Sequence, residues 1–547
     1  MVARRLPAPL HPGARRGRPI SLVVDGRQVP AFEGEPVAVA LLAAGRPILS
    51  RSFRLHRPRG LMCSTGQCGW CECRIDGRPS VRACRVPAAE GLAVDGEHAW
   101  PSVPRDVLGA VDLGSRWLPP TFYHHRFLRP KRLRKAYLDV IRWFGGRGRL
   151  SMPPRAAVPD GAIRATRAVD VDVVIVGGGP AGLLAARGAS SAGARVVVLE
   201  AESGVGGPWA WREGAIPGAG SVDELVTELL ATGRVAIETA TTALSLDEAG
   251  LHAVGPKAVL DVRAATVVVA TGSHEQLPLV SGNDRPGVMG ARTVEWLIRG
   301  HGVAPGSRAV LVGDGADLGR ASDALAAAGS EVVRWVPVEL LEAVEGRQAV
   351  TGVRLRAGGR PVERVAADLL VVGDRSPAAE LATAARLQGT TATVLLTGAA
   401  AGEPIDTAEA AAAAESIGRS AAMAGALPGD ARPPSPAPAV ARLAAQAMVC
   451  FCEDVRAADL RRECDAGYGH PEMLKRRTGA LTGPCQGKYC AVAFQAAIRT
   501  SSGKAPESSA SPAPTSRPPA RPVRLGDLVA TVPREARDTA TAELTAP

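Results

Sequence analysis

Ten cysteines divide into two groups of five, Cys63 to Cys84 and Cys450 to Cys490, with none between residues 85 and 449. A disulfide scaffold would scatter its bridges along the chain, whereas tight local groups point to reduced thiolates gathered on metal. The first group, CSTGQCGWCECRIDGRPSVRAC, sets Cys63, Cys68, Cys71 and Cys84 in the pattern C-x4-C-x2-C-x12-C. Its first three cysteines have the plant-type 2Fe-2S spacing. Gly66 and Gly69 let such a loop curl with its amide N–H groups aimed at sulfur. Four-cysteine zinc sites pair two short C-x2-4-C knuckles, so the spacing favours iron–sulfur over zinc. Cys73 falls outside the pattern and reads as a spare thiol beside the site.

The second group places Cys450, Cys452, Cys485 and Cys490 in C-x-C-x32-C-x4-C and leaves Cys464 over. The stretch TGPCQGKYCAVAFQAAI puts a glycine-rich loop before a helical run, whose N-terminal partial charge would stabilise a thiolate-rich centre. Zinc is a stronger rival here, although iron–sulfur remains favoured.

Between the two groups lies a dinucleotide-binding signature. The apolar strand 172–176 runs into Gly177-Gly178-Gly179-Pro180-Ala181-Gly182, a helical run, the strand 195–199 and Glu200. Gly177 makes the tight turn, Gly179 admits a pyrophosphate to the backbone, and Gly182 lets helix and strand pack. Glu200 is the acid for a ribose hydroxyl. Gly207, Gly272 at the end of VVVATG and Gly398 at the end of VLLTG are assigned to the same cofactor site, with FAD the expected occupant. A second, looser unit starts at Ala309 with Gly313, Gly315 and Gly319, its third glycine one place late. Arg334 stands where an acid would hold a ribose, so this loop either prefers a 2′-phosphate or is degenerate. NAD(P) or ATP is its expected ligand if it binds one.

At 547 residues the chain needs several cores. Aromatic residues at 3% are too few for a stacking platform on single-stranded nucleic acid, and nucleic acid is not an expected partner. The net charge of +11 is uneven: residues 1–168 hold 29 Lys and Arg against 12 Asp and Glu, a balance of +17. Such asymmetry suits nucleic acid, an anionic membrane surface or an acidic protein. The longest uncharged stretch, 387–402, has 16 residues broken by Gly and Thr, short of a membrane span. The first twenty residues lack the apolar run of an export signal, so a cytoplasmic location is expected. Strands 20–24 and 28–32 around Asp25-Gly26 predict a hairpin, and 35–44 a helix. Pro, Ser and Ala dominate 426–440 and 501–521, which read as tethers. Segment 121–145, with six Lys and Arg from Arg126 to Lys135, reads as a connector or docking face, peripheral membrane contact being the alternative. His274 is the histidine nearest a cofactor loop and is expected to be solvated.

The stretches ATGSHEQLPLVSGNDRPGVMGA, DLLVVGDRSPAAEL and KRRTGALTGPCQGKYC resemble the alpha subunits of the sarcosine oxidase, opine oxidase, D-proline and hydroxyproline dehydrogenase and cyanide synthase group. The resemblance spans roughly 18–530 and implies a multidomain α/β chain. Its parts would be a ferredoxin-like β-grasp 2Fe-2S domain (18–100), a basic connector (101–168), and a thioredoxin-reductase-like core of FAD-binding (169–285 and 386–425) and NAD(P)-binding-like (286–385) domains. A linker (426–445), a bacterioferritin-associated-ferredoxin-like 2Fe-2S domain (446–500) and a tail (501–547) would follow. It also implies an electron-transfer subunit of an amine or amino-acid dehydrogenase, whose substrate is oxidised at a flavin on an oxidase-like beta subunit. Catalytic residues are not assigned. The alternatives are an NAD(P)H-dependent reductase feeding an oxygenase and a scaffold with a structural nucleotide. Thioredoxin-reductase disulfide chemistry is not expected without a central C-x-x-C. Gly398-Ala399 departs from the Gly-Asp of many relatives, and the aminomethyltransferase-like part of the longer relatives is missing, so folate-linked chemistry is not expected. In the tail, Val523, Leu525 and Leu528 are the expected anchors for a partner.

Overall fold

The computed structural model describes residues 3–122, 131–144, 165–356, 362–423, 443–501 and 518–523. The tether 426–440, most of the second tether, much of the basic connector, and Leu525 and Leu528 lie outside these residues. The chain forms two compact units: one of Met1–Met152, His274–Arg375 and Pro436–Pro514, the other of Pro153–Ser273, Ser376–Ser435 and Thr515–Pro547.

The second of these units is built on the strand Ala165–Val176, which pairs in parallel with Val196–Leu199 on one side and Ala258–Val269 on the other. Val235–Glu238 and Thr393–Leu396 extend the parallel part, and the antiparallel hairpin Thr242–Asp247 and Gly250–Val254 closes the sheet. Parallel pairing buries both faces, which is why Val173 to Val176 read as a continuous apolar run rather than an alternating one. Helix Pro180–Ser191 follows the central strand and packs on helix Ala408–Ala422. They approach backbone to backbone: a Cβ on Gly188 would strike the Glu415 carbonyl, and one on Gly418 the Ala185 carbonyl. Both returning strands rejoin this sheet, the one ending at Val269 beside the first strand and the one ending at Leu396 beside Ala258–Val269.

The other unit holds three layers of structure. Strands Pro19–Val24 and Arg27–Phe32 form the predicted hairpin, with Asp25 at φ 48° and Gly26 at φ 75° supplying the positive dihedrals of its two-residue turn. They join Ala93–Asp95, Glu72–Ile75 and Arg78–Arg82 in a five-stranded sheet covered by helix Val37–Ala43. A parallel sheet of Val288–Gly290, Leu369–Val372, Arg308–Val312 and Glu331–Val336 carries helix Ala316–Ala327. The last layer is the hairpin Met448–Cys450 and Val455–Arg456 with helices Ala457–Asp465, Pro471–Thr478 and Ala491–Ser501. The start of the chain is also tied down: Arg4–Arg5 pairs with Val303–Ala304, and Leu6 is buried.

The basic first third is partly turned inward. Arg51, Arg54, Arg57 and Arg59 are all buried. Arg57 grips Asp284 and reaches Asp112 at 2.8 Å. Arg59 donates to Asp454 and to the Phe451 carbonyl, each at 2.6 Å, and Arg54 reaches Asp459 at 3.1 Å. For Arg54, Arg57 and Arg59 the acidic partner is this chain itself, while Arg51 is held by the Val103 carbonyl and Gln348.

Candidate functional site

The loop from Cys63 to Cys71 folds back beside Cys84, and all four cysteines are at most 3% exposed. The thiols lie close enough to shift one another's acidity: burial pushes the Cys68 thiol up, and Cys63, Cys71 and Cys84 all push it further. Four gathered thiols are the ligand set that a two-iron cluster takes. Gly66 and Gly69 adopt φ 71° and 73°, the left-handed turns the loop requires. The N–H of Trp70 points at Cys68 Sγ (3.4 Å), that of Cys84 at Cys71 Sγ (3.5 Å), and the Thr65 hydroxyl at Cys63 Sγ (3.4 Å). Burial pushes the Cys63 thiol up, but hydrogen bonds from Cys68, Thr65 and Tyr489 outweigh it and bring it well below its ordinary range. Cys73 is buried on strand Glu72–Ile75 with its thiol on the Cys71 carbonyl, apart from the quartet.

The second quartet converges in the same manner. Cys485 lies near Cys452 and Cys490, and Cys490 near Cys450, each thiol shifting its neighbour's acidity. Backbone N–H groups of Gly487 and Tyr489 serve Cys485, and Cys490 immediately precedes helix Ala491–Ser501. Among the described residues no group of three or more His, Cys, Asp or Glu is placed to hold a metal ion. Cys63 and Cys68 of the first quartet and Cys485 of the second lie in one apolar core with Trp70, Phe451 and Tyr489, and Cys452 packs against it. Arg59 caps this junction, its guanidinium 5.2 Å from the Trp70 ring centroid.

In the other unit, strand Ala165–Val176 delivers Gly177 at φ 111° into the turn, and Gly179 is the N-cap of helix Pro180–Ser191. A Cβ on Gly177 would strike the Ala270 carbonyl, and one on Gly182 the Gly177 carbonyl, so tight packing requires both glycines. Gly179 is different: a Cβ there meets nothing within 4 Å, leaving an open approach to the helix N-terminus. Gly207 lies opposite, its hypothetical Cβ 3.4 Å from Gly179 Cα, and the Gly206 N–H donates to the Gly178 carbonyl at 2.7 Å. Gly398, at φ 61°, abuts Ala181 at the same helix end, and Gly272, at φ 77°, lies just past the strand end at Val269 with open space around it. Glu200 accepts from the N–H groups of Gly178 and Glu202, both at 2.7 Å, and burial raises its carboxyl above the ordinary range. Each of its oxygens keeps a second lone pair for a ribose. These residues fit a dinucleotide.

The second glycine loop suits phosphate less well. Gly313 and Gly315 have the expected positive φ, 99° and 98°. Yet a Cβ on Gly313 would lie 3.3 Å from an Asp374 carboxylate oxygen. Burial, with Asp314 and Glu339 close by, raises that carboxyl above its ordinary range. The Trp335 indole donates to the Gly313 carbonyl at 2.9 Å, and Arg334 is engaged by Glu363 at 3.1 Å. Carboxylates around the loop and a spoken-for arginine favour the degenerate alternative.

Three placements depart from the sequence reading. His274 is buried, 4% exposed, with its ring 5.6 Å from that of Tyr489, because the loop after Gly272 turns into the core instead of into solvent. Val523 packs on Leu244, Val254 and Val259, and Ala520 donates its N–H to the Leu244 carbonyl at 2.9 Å. It is therefore held by its own sheet and is not a free anchor. Glu275 went unnoticed: it is enclosed against Arg292 and Thr293, and burial pushes its carboxyl up to about 7. Its only sequence signal was a charge set among apolar and turn residues.

A parallel dinucleotide fold carrying a ferredoxin-like sheet and a second cysteine domain defines a flavin-dependent oxidoreductase with a 2Fe-2S domain. Residues 17–98 match the 2Fe-2S iron-sulfur cluster binding domain, 171–345 the pyridine nucleotide-disulphide oxidoreductase family, and 444–532 the sarcosine oxidase A3 domain. The chain belongs to the group of sarcosine oxidase alpha subunits and cyanide synthase. It is 29% identical over 586 residues to sarcosine oxidase subunit alpha of Rhizobium meliloti (strain 1021), covering 94% of this chain and 58% of that one. Against the same subunit of Corynebacterium sp. (strain P-1) the identity is 29% over 406 residues, 69% of this chain and 36% of that one. The chain thus spans less than two thirds of these relatives. Over 78 residues, 14% of this chain and 74% of the relative, it is 35% identical to hydrogen cyanide synthase subunit HcnA of Pseudomonas aeruginosa. The crystal structure of L-proline dehydrogenase from P. horikoshii shares the fold at a TM-score of 0.66 and 19% identity, covering 95% of this chain and 99% of that one. No described helix is long and apolar enough to cross a membrane.

Proposed function

We propose that this chain is the iron–sulfur flavoprotein electron-transfer subunit of a heteromeric amine or amino-acid dehydrogenase of the sarcosine, D-proline or hydroxyproline, opine or glycine class, working in the cytoplasm. The observation that carries the reading is the gathering of two four-thiol sets, seven of the eight thiols buried, in a chain that also has an open glycine cradle at a helix N-terminus. When bound, a flavin takes two electrons as a hydride, and an iron–sulfur centre carries them singly. Cys63, Cys68, Cys71 and Cys84 hold one centre; Cys450, Cys452, Cys485 and Cys490 hold the other. The amides of Trp70, Cys84 and Gly487 direct N–H groups at the sulfurs and offset the negative charge gathered there. Gly177, Gly179, Gly182 and Gly207 shape the FAD pyrophosphate site, with Glu200 toward the adenosine ribose and Gly272 and Gly398 at the rim. The relatives named as alpha subunits support a partner, which we take to be an oxidase-like beta subunit carrying the substrate flavin.

Anaerobically purified chain should contain about four irons with matching sulfide, two per centre, and should release FAD on denaturation. Alone it should leave proline, hydroxyproline, sarcosine, glycine and opines untouched, and it should turn one of them over only with the beta subunit. Stoichiometric zinc without sulfide, or robust turnover by the isolated chain, would end the proposal. Bleaching of the flavin by NADPH would move it to the reductase alternative.

A further inference from the structure

Arg59 ligates nothing in either quartet, yet it touches a loop of each. It ends the short strand Pro58–Arg59, is buried, and lays its guanidinium against Trp70, the residue before Cys71. Its Nη2 donates to the Phe451 carbonyl and to Asp454 Oδ1, each at 2.6 Å. Phe451 is the single residue between Cys450 and Cys452, and Asp454 turns the chain just after them at φ 52°. The other carboxylate oxygen of Asp454 accepts from the N–H groups of Arg54 and Leu55, both at 3.0 Å. The turn that carries Cys450 and Cys452 is thus held from the first cysteine domain, by one side chain and two amides. Around this grip the two quartets close on each other. The Trp70 and Phe451 rings meet edge-on with centroids 4.8 Å apart, and Cys452 Sγ lies 3.9 Å from the Cys68 carbonyl oxygen. A Cβ on Gly69 would lie 3.4 Å from Pro484, the neighbour of Cys485, so the stretch 68–71 faces both halves of the second quartet. Arginine suits the task because its planar fork serves two acceptors at one edge while its face covers an aromatic ring, whereas lysine is a point donor.

We propose that Arg59 is a positioning residue shared by the two quartets: by holding the Phe451–Asp454 turn on the Cys68–Cys71 loop it fixes the two centres as near neighbours, whose unpaired spins interact when both are reduced. The proposal rests on the reading of both quartets as iron–sulfur ligands. It adds that their spacing is set by a residue that ligates neither.

The test uses the full chain, anaerobically purified, with iron and sulfide measured first. Electron paramagnetic resonance spectra of the fully reduced native protein are compared with those of Cys84→Ser and Cys490→Ser, each of which keeps one centre. The native spectrum should carry a splitting that the two single-centre spectra added together do not reproduce. That splitting should be lost in Arg59→Met and weakened in Arg59→Lys, with iron and sulfide unchanged. A role confined to stability would lower the unfolding midpoint and leave the splitting of the loaded protein as it was. Arg59→Lys keeps a cation beside the buried Asp454, so it decides the matter where Arg59→Met fails to fold. A loaded native protein whose spectrum is the plain sum, or an undiminished splitting in a loaded Arg59 variant, overturns this proposal alone. Native protein without iron and sulfide overturns the proposed function and this inference with it.

Discussion

Glu275 is wholly enclosed, with Oε1 accepting from the Arg292 N–H at 2.7 Å and Oε2 from the Thr293 hydroxyl at 2.8 Å. Burial lifts its carboxyl from 4.5 to about 7, against the attraction of Arg292. A raised folded-state value means that the folded chain holds this proton more tightly than the unfolded one. Its stabilising contribution is complete below pH 4.5 and is lost as pH climbs through about 7. At 1.36 kcal/mol for each pH unit between those values, the loss amounts to about 3 kcal/mol above neutrality. Glu275→Gln keeps both hydrogen bonds, since a Gln amide can accept from Arg292 and donate to Thr293. The variant should match the native chain in denaturant unfolding near pH 4.5 and exceed it at pH 8; an unchanged gap across that range would contradict the assignment. Asp284 lies at the other extreme. Burial alone would raise its carboxyl, but Arg57 holds it well below the ordinary range. Neither burial was legible from one sequence. An Arg-rich decapeptide and isolated acids look like solvated charge until the fold places Arg57 on Asp284, 227 positions away.

At the scale of elements, the glycine loop at 177–182 separates structural demand from ligand demand. Gly177 and Gly182 leave no room for a Cβ, whereas Gly179 has ordinary φ, −74°, and open space around it. Gly179→Val should therefore fold with an unfolding midpoint close to native, and lose FAD during gel filtration. Gly182→Val should lose stability, by about 1–3 kcal/mol or more as expected for overpacking. Retention of FAD by Gly179→Val would remove this loop from the cofactor site. The strand–loop–helix arrangement was readable because each piece is local: an apolar run, a glycine turn and a helical pattern follow within thirty residues. The second loop was already looser in sequence, its third glycine one place late, but the carboxylate that crowds it became visible only when Asp374, some sixty positions on, was found beside Gly313.

For the whole molecule, the tail is the segment whose role changed most. Arg521 lies 3.4 Å from Glu202, and Val523 covers Leu244, Val254 and Val259. Removing residues 515–547 should therefore lower the stability of the FAD-type unit itself. Truncation after Val523 should spare it and test only whether the remaining tail binds the partner. Thermal unfolding followed by flavin fluorescence distinguishes the two truncations, and equal midpoints would contradict the packing role. The sequence by itself determined the chemistry available: eight thiols at cluster spacings and a phosphate-binding turn, since each depends on residues close together in the chain. Only the tertiary structure decided that Cys63 and Cys68 of one thiol set share a core with Cys485 of the other, and that buried arginines find their acids within the chain. Those contacts join positions nearly four hundred residues apart, and no local pattern of hydrophobicity or spacing encodes a pairing at that range.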